Sequence, residues 1–185
     1  MQQNNKSEMI GNREIYISNG TKTTVTHGYD SVYVLEEQFG SPFKITRVYS
    51  AKTGFMTLEG KTFHGMEVSI SRWYDENGNF QEEFDFDKNY PLTVEKLIYS
   101  MKMRYGIDLL CPGKLLEIKR VDLGNPYEES TWHDVFPAFV VKPKNRHVYY
   151  VSFFHTNKQE LDIDVCFIDG CNGEIIFKEI IGQNC

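Results

Sequence analysis

The chain carries two hydrophobic periods. From residue 13 onward, short runs that alternate apolar and polar residues are separated by Gly, Asn, Asp and Pro, the pattern of half-buried strands joined by tight turns. Glu14-Ile15-Tyr16-Ile17 and Thr23-Thr24-Val25-Thr26 flank Ser18-Asn19-Gly20, which predicts an opening hairpin. Glu67 to Tyr74 and Phe80 to Phe84 flank Asp75-Glu76-Asn77-Gly78-Asn79, which predicts another. Between them, Asp30 or Ser31 can cap a short helix through Val32, Leu35 and Phe39, ended by Gly40 and Pro42. Phe43 to Val48 and Phe55 to Leu58, on either side of Lys52-Thr53-Gly54, read as two further strands. Residues 1–12 are polar and are expected to form a disordered tail.

After Pro91 the period becomes helical. Thr93 is placed as an N-cap, Val94, Leu97, Ile98, Met101 and Tyr105 recur at spacings of three and four, and Gly106 closes the run. Strands are then expected over 115–121, 135–142, 147–154, 161–168 and 174–180. The expected fold is α+β: antiparallel sheet with two main helices packed on one face, built as two similar helix-plus-meander halves. Those halves span 13–90 and 91–185, which one continuous domain would also accommodate.

The stretch from His147 to Phe153 and on through Asp164 to Ile176 ends in Asp169-Gly170-Cys171-Asn172-Gly173-Glu174. It resembles the closing strands of PepSY-like domains, which finish in a similar Asp-x-x-x-Gly-Glu turn. PepSY-like and cystatin-like modules are mostly inhibitory or partner-binding, so the resemblance implies a binder and carries over no catalytic residue. Trp73-Tyr74-Asp75-Glu76-Asn77-Gly78-Asn79-Phe80 resembles the turns of bacterial repeat proteins associated with toxin and antitoxin loci, which implies a bacterial immunity protein.

Composition narrows the function classes. A net charge of −6 and a pI near 5.4 disfavour nucleic acid, whose phosphates demand a basic face, and favour a basic protein partner. The N-terminus lacks an apolar leader and no window approaches the roughly 18 apolar residues of a span, so no membrane association is expected. This places the chain in the cytoplasm, or in the periplasm if a leader precedes it. The four cysteines, Cys111, Cys166, Cys171 and Cys185, form no C-x-x-C pair, so neither a metal nor a cofactor is expected. Cys166 reads as a core residue and Cys171 as part of a turn.

Two clusters carry candidate chemistry. Tyr127, Glu128, Glu129, Trp132, His133 and Asp134 crowd carboxylates, an imidazole and aromatics into one irregular stretch. It reads as a solvated connection, as a partner-contact loop anchored by Trp132, or as a catalytic loop. Glu82, Glu83, Asp85 and Asp87 alternate acid with aromatic, either to meet a basic groove or to keep an edge strand from pairing. The leading expectation is a non-catalytic, immunity-type inhibitor that occludes the active site of a cognate toxin or hydrolase. The alternatives are a small hydrolase or nuclease using His133 with nearby carboxylates, and a small-molecule-sensing or structural module.

Overall fold

Two-residue turns in left-handed backbone set the path of the first unit. In the computed structural model, which describes residues 6–111, 114–125, 136, 147–154 and 162–182, contacts divide the chain into compact units, Met1–Asp87 and Lys88–Cys185. The first is a meander of eight antiparallel strands paired in chain order: β1 (Lys6–Ile10), β2 (Arg13–Ser18), β3 (Thr21–His27), β4 (Ser31–Gln38), β5 (Phe43–Ser50), β6 (Met56–Phe63), β7 (Met66–Tyr74) and β8 (Phe80–Asp85). Asn19-Gly20 (φ 50° and 74°) and His64-Gly65 (φ 49° and 87°) join the directly paired Ser18 and Thr21, and Phe63 and Met66. Both are type I′ hairpin turns, whose twist suits the flanking strands. Asp75 organises the last turn by accepting from the Asn77 and Asn79 N–H groups, each at 2.8 Å.

Two expectations for this unit are corrected. Residues 31–39 form no helix, because Ser31–Gln38 is β4, paired to β3 and β5 along its length. The same residues fit both periods, and pairing on both edges decides for the strand: β-branched Val32 and Val34 lie on one face, Tyr33 and Leu35 on the other. Two main helices on one face are therefore absent among the described residues, as are two matching helix-plus-meander halves; a single helix stands beside twelve strands. Part of the stretch expected to be a tail, Lys6–Ile10, is β1.

Most residues of β2 to β6 are half-buried on both faces, and charged rows tie the strands together. On one face Glu37 lies between Lys22 (3.3 Å) and Lys44 (2.8 Å). On the other, Arg47 bridges Glu36 (3.0 Å) and Glu59 (2.8 Å), and Arg72 pairs with Glu83 (3.4 Å). Full burial gathers in β5 to β7, at Val48, Phe63, Met66, Val68 and Ser71.

The Lys44 ammonium, with Lys22 adding to it, holds the Glu37 carboxyl below the ordinary carboxylate range against the opposing effect of partial burial. A carboxyl depressed in the folded state stabilises fully above its unfolded pKa, and that contribution is lost as pH falls through the depressed value. Urea midpoints measured at a series of pH values should therefore drop in acid, and Glu37→Gln should flatten the drop within that window while lowering stability at neutral pH.

The second unit begins with α1 (Val94–Tyr105). Its Thr93 cap accepts from Lys96 N–H, Glu95 and Lys102 with Arg104 suit the two ends of the helix dipole, and Gly106 closes it in left-handed backbone. Four antiparallel strands follow, β9 (Leu115–Asp122), β10 (His147–Phe154), β11 (Ile163–Asp169) and β12 (Ile175–Ile181), in the order β12-β11-β10-β9. β10 and β11 are central and buried on both faces. One face packs Val121, Val148, Tyr150, Val165 and Phe167 with Phe136. The other carries Tyr149, whose hydroxyl donates to Leu92 O at 2.7 Å, and Cys166, whose thiol burial pushes up to about 11. The Asp169–Glu174 turn is fixed by Asp169 Oδ1, which accepts from Cys171 N–H (2.7 Å) and Asn172 N–H (3.2 Å). Tyr105 and Arg104 hold this turn to α1 through Ile175 N–H and Asn172 O.

Candidate functional site

β8 ends the eight-stranded sheet, with β7 as its neighbour on one side, and all six of its residues are exposed. The residues Phe80-Gln81-Glu82-Glu83-Phe84-Asp85 form a strand because the Asp75–Asn79 turn folds them back onto β7 and period-two alternation continues across it. The register sets Glu83 opposite Arg72 and Asp85 opposite Ile70 on one face, and Glu82 opposite Trp73 and Phe84 opposite Ser71 on the other. A register shift at Trp73/Tyr74 pairs Phe80 with Tyr74, and their rings meet edge to face at 6.1 Å.

The acids expected to act together are thus brought onto one edge but divided between its two faces. Asp87 lies past the end of the strand, half-buried, its N–H donating to Asp85 Oδ1 at 2.9 Å. Phe80 and Phe84, each 56% exposed, complete the surface, and Phe84 packs on Phe86 at 4.6 Å. Reading the acids of this segment as a charge cluster leaves these phenylalanines out of the site. The alternation of Phe with Glu and Asp across 80–85 is the signal that aromatics and acids share this edge.

An edge of this kind presents a row of outward backbone N–H and C=O groups together with side chains on both faces. Its chemistry is recognition: main-chain hydrogen bonds to an extended segment, charge pairing to Lys or Arg, and apolar contact at Phe80 and Phe84. Like charge on Glu82, Glu83 and Asp85 repels a second copy of the same strand and attracts a basic one.

Tyr127, Glu128, Glu129, Trp132, His133 and Asp134 lie outside the described residues, as do His155 and most of the strand expected over 135–142. The described histidines occupy unrelated places. His27 bonds Glu14 at 2.8 Å on the exposed first sheet, next to the Tyr16 hydroxyl, which donates to the same carboxylate. His64 sits in the β6–β7 turn against Phe63, and His147 lies 3.7 Å from Asp122. Among the described residues, no group of three or more His, Cys, Asp and Glu side chains is placed to hold a metal ion. No described helix is long and apolar enough to cross a membrane. The chain matches no family model, no curated protein and no solved structure.

Proposed function

We propose that this protein is a non-catalytic binding module, an immunity-type inhibitor that neutralises a basic toxin or hydrolase by occluding its active site. The observation that carries this reading is β8: a terminal strand exposed along its whole length, with Glu82, Glu83 and Asp85 beside Phe80 and Phe84. Exposed edges are a hazard that proteins blunt, and acids serve that end here against self-pairing. Two exposed phenylalanines serve the opposite end. Apolar anchors rimmed by charge are what a binding surface needs and what a merely protected edge omits. The net charge of −6 adds long-range attraction toward a basic partner, and the PepSY-like and toxin–antitoxin resemblances favour the same class.

Capture from the native host, or with the product of a neighbouring gene, tests the reading. A stoichiometric basic enzyme that loses activity on adding purified protein supports it. Hydrolase activity in the purified protein itself, with no partner retained, contradicts it.

A further inference from the structure

Strand register builds a ladder of alternating charge across the outer half of the eight-stranded sheet. Arg47 on β5 lies directly opposite Glu59 on β6, Glu59 opposite Arg72 on β7, and Arg72 opposite Glu83 on β8, so the four side chains share one row of one face. Ion pairs of 2.8 Å at Arg47–Glu59 and 3.4 Å at Arg72–Glu83 close its first and last steps. Glu59 has an arginine on each side in this register, whereas Glu83 has Arg72 on one side and the edge of the sheet on the other. A further strand would join the row where its alternation calls for a cation. The backbone is set for such a strand. Phe86 N–H donates to Ser69 O at 3.0 Å, and N–H and C=O groups change sides at each residue of an antiparallel strand. Glu82 and Phe84 therefore turn theirs toward β7, and Glu83 and Asp85 turn theirs outward. In an added antiparallel strand the residues opposite Glu83 and Asp85 form hydrogen-bonded pairs. The residue opposite Phe84 falls at a closer pair, with Cα atoms about 4.5 Å apart rather than about 5.5 Å.

We propose that β8 takes an extended segment of its partner as an additional antiparallel strand, and that this segment reads cation, apolar residue, arginine, cation, opposite Asp85, Phe84, Glu83 and Glu82 in turn. The arginine forms the next rung of the ladder, where its planar fork suits a carboxylate as Arg47 and Arg72 do within the sheet. The apolar residue covers the exposed Phe84 ring at the close pair. The inference rests on the role given to β8 above and specifies the partner surface that fits it. A second copy of this chain does not fit. Its β8 repeats the same acids, and in its β1 the alternate residues Lys6 and Glu8 place opposite signs at two positions that both call for a cation.

Titration of the intact, nitrogen-15-labelled protein with the peptide acetyl-Thr-Lys-Val-Arg-Lys-Thr-amide, followed by NMR at neutral pH, tests this. The peptide should bind saturably and shift the amide signals of β8, those of Glu83 and Asp85 most. Replacing its arginine by glutamate should weaken binding by about tenfold or more. Glu83→Arg should weaken the arginine peptide and restore binding of the glutamate peptide, which Glu174→Arg in the second unit should not do. Because Glu83→Arg sets like charge against Arg72, Glu83→Gln decides the matter if that variant fails to fold: it should level the preference for arginine over glutamate in the peptide. Absence of saturable binding, shifts confined to residues outside β8, or an unchanged arginine preference in folded Glu83→Gln would overturn the proposal. A basic enzyme captured and inhibited alongside such a result would leave the inhibitor reading in place and remove strand addition alone.

Discussion

Phe167→Ala should destabilise the second unit by about 3–5 kcal/mol, the cost of removing a buried aromatic and leaving a cavity that its neighbours cannot close. Phe167 is fully buried at the centre of β11, with the rings of Tyr150, Phe136 and Phe177 at 5.5, 5.7 and 6.0 Å. Because small units are stabilised by only about 5–15 kcal/mol, this loss is a large fraction of the whole. Urea denaturation followed by hydrogen exchange should show the transition of residues 88–185 moving to much lower urea. Phe55→Ala, at a site 52% exposed, should change the midpoint of residues 1–87 by no more than about 0.5 kcal/mol in free energy.

Reversing the charge of β8 should have the largest effect on binding. The triple variant Glu82→Lys, Glu83→Lys, Asp85→Lys is expected to weaken the captured partner by about a hundredfold, or about 3 kcal/mol, much of it through slower association. These side chains are exposed, so stability should change little beyond loss of the Arg72–Glu83 pair, whose partners are 43% and 49% exposed, and of the bond that Asp85 Oδ1 accepts from Asp87 N–H. The control carries the same change in net charge on the second unit: Glu95→Lys, Glu174→Lys, Glu179→Lys, all exposed positions. A comparable loss in the control would assign the effect to net charge and remove β8 from the site. Surface plasmon resonance at two salt concentrations separates the cases, since local pairing at β8 should keep the salt dependence steep in wild type and in the control and flatten it in the β8 triple variant.

Elements whose ends carry their own chemistry are legible in the amino-acid sequence. α1 runs between its Thr93 cap and Gly106 as the spacing of Val94, Leu97 and Met101 requires. The hairpins at Asn19-Gly20 and Asp75–Asn79 follow from residues suited to left-handed backbone and to side-chain-closed turns. β4 defeats such a reading because Val32, Leu35 and Phe39 satisfy a helical spacing while Val32, Val34 and Glu36 satisfy a strand's, and only the pairing with β3 and β5 separates the two. A sheet with half-buried faces on both sides weakens the signal further, since neither face is cleanly apolar. The acids of β8 are legible as a cluster, but their division between two faces depends on the register with β7.

Hydrogen exchange of Phe80–Asp85, measured with and without the captured partner, tests the role of β8 most directly. A strand added to this edge would take up its outward N–H groups, so exchange across residues 80–85 should slow markedly on complex formation. Unchanged exchange at 80–85, with protection confined to residues 88–185, would contradict the assignment of β8 as the binding edge.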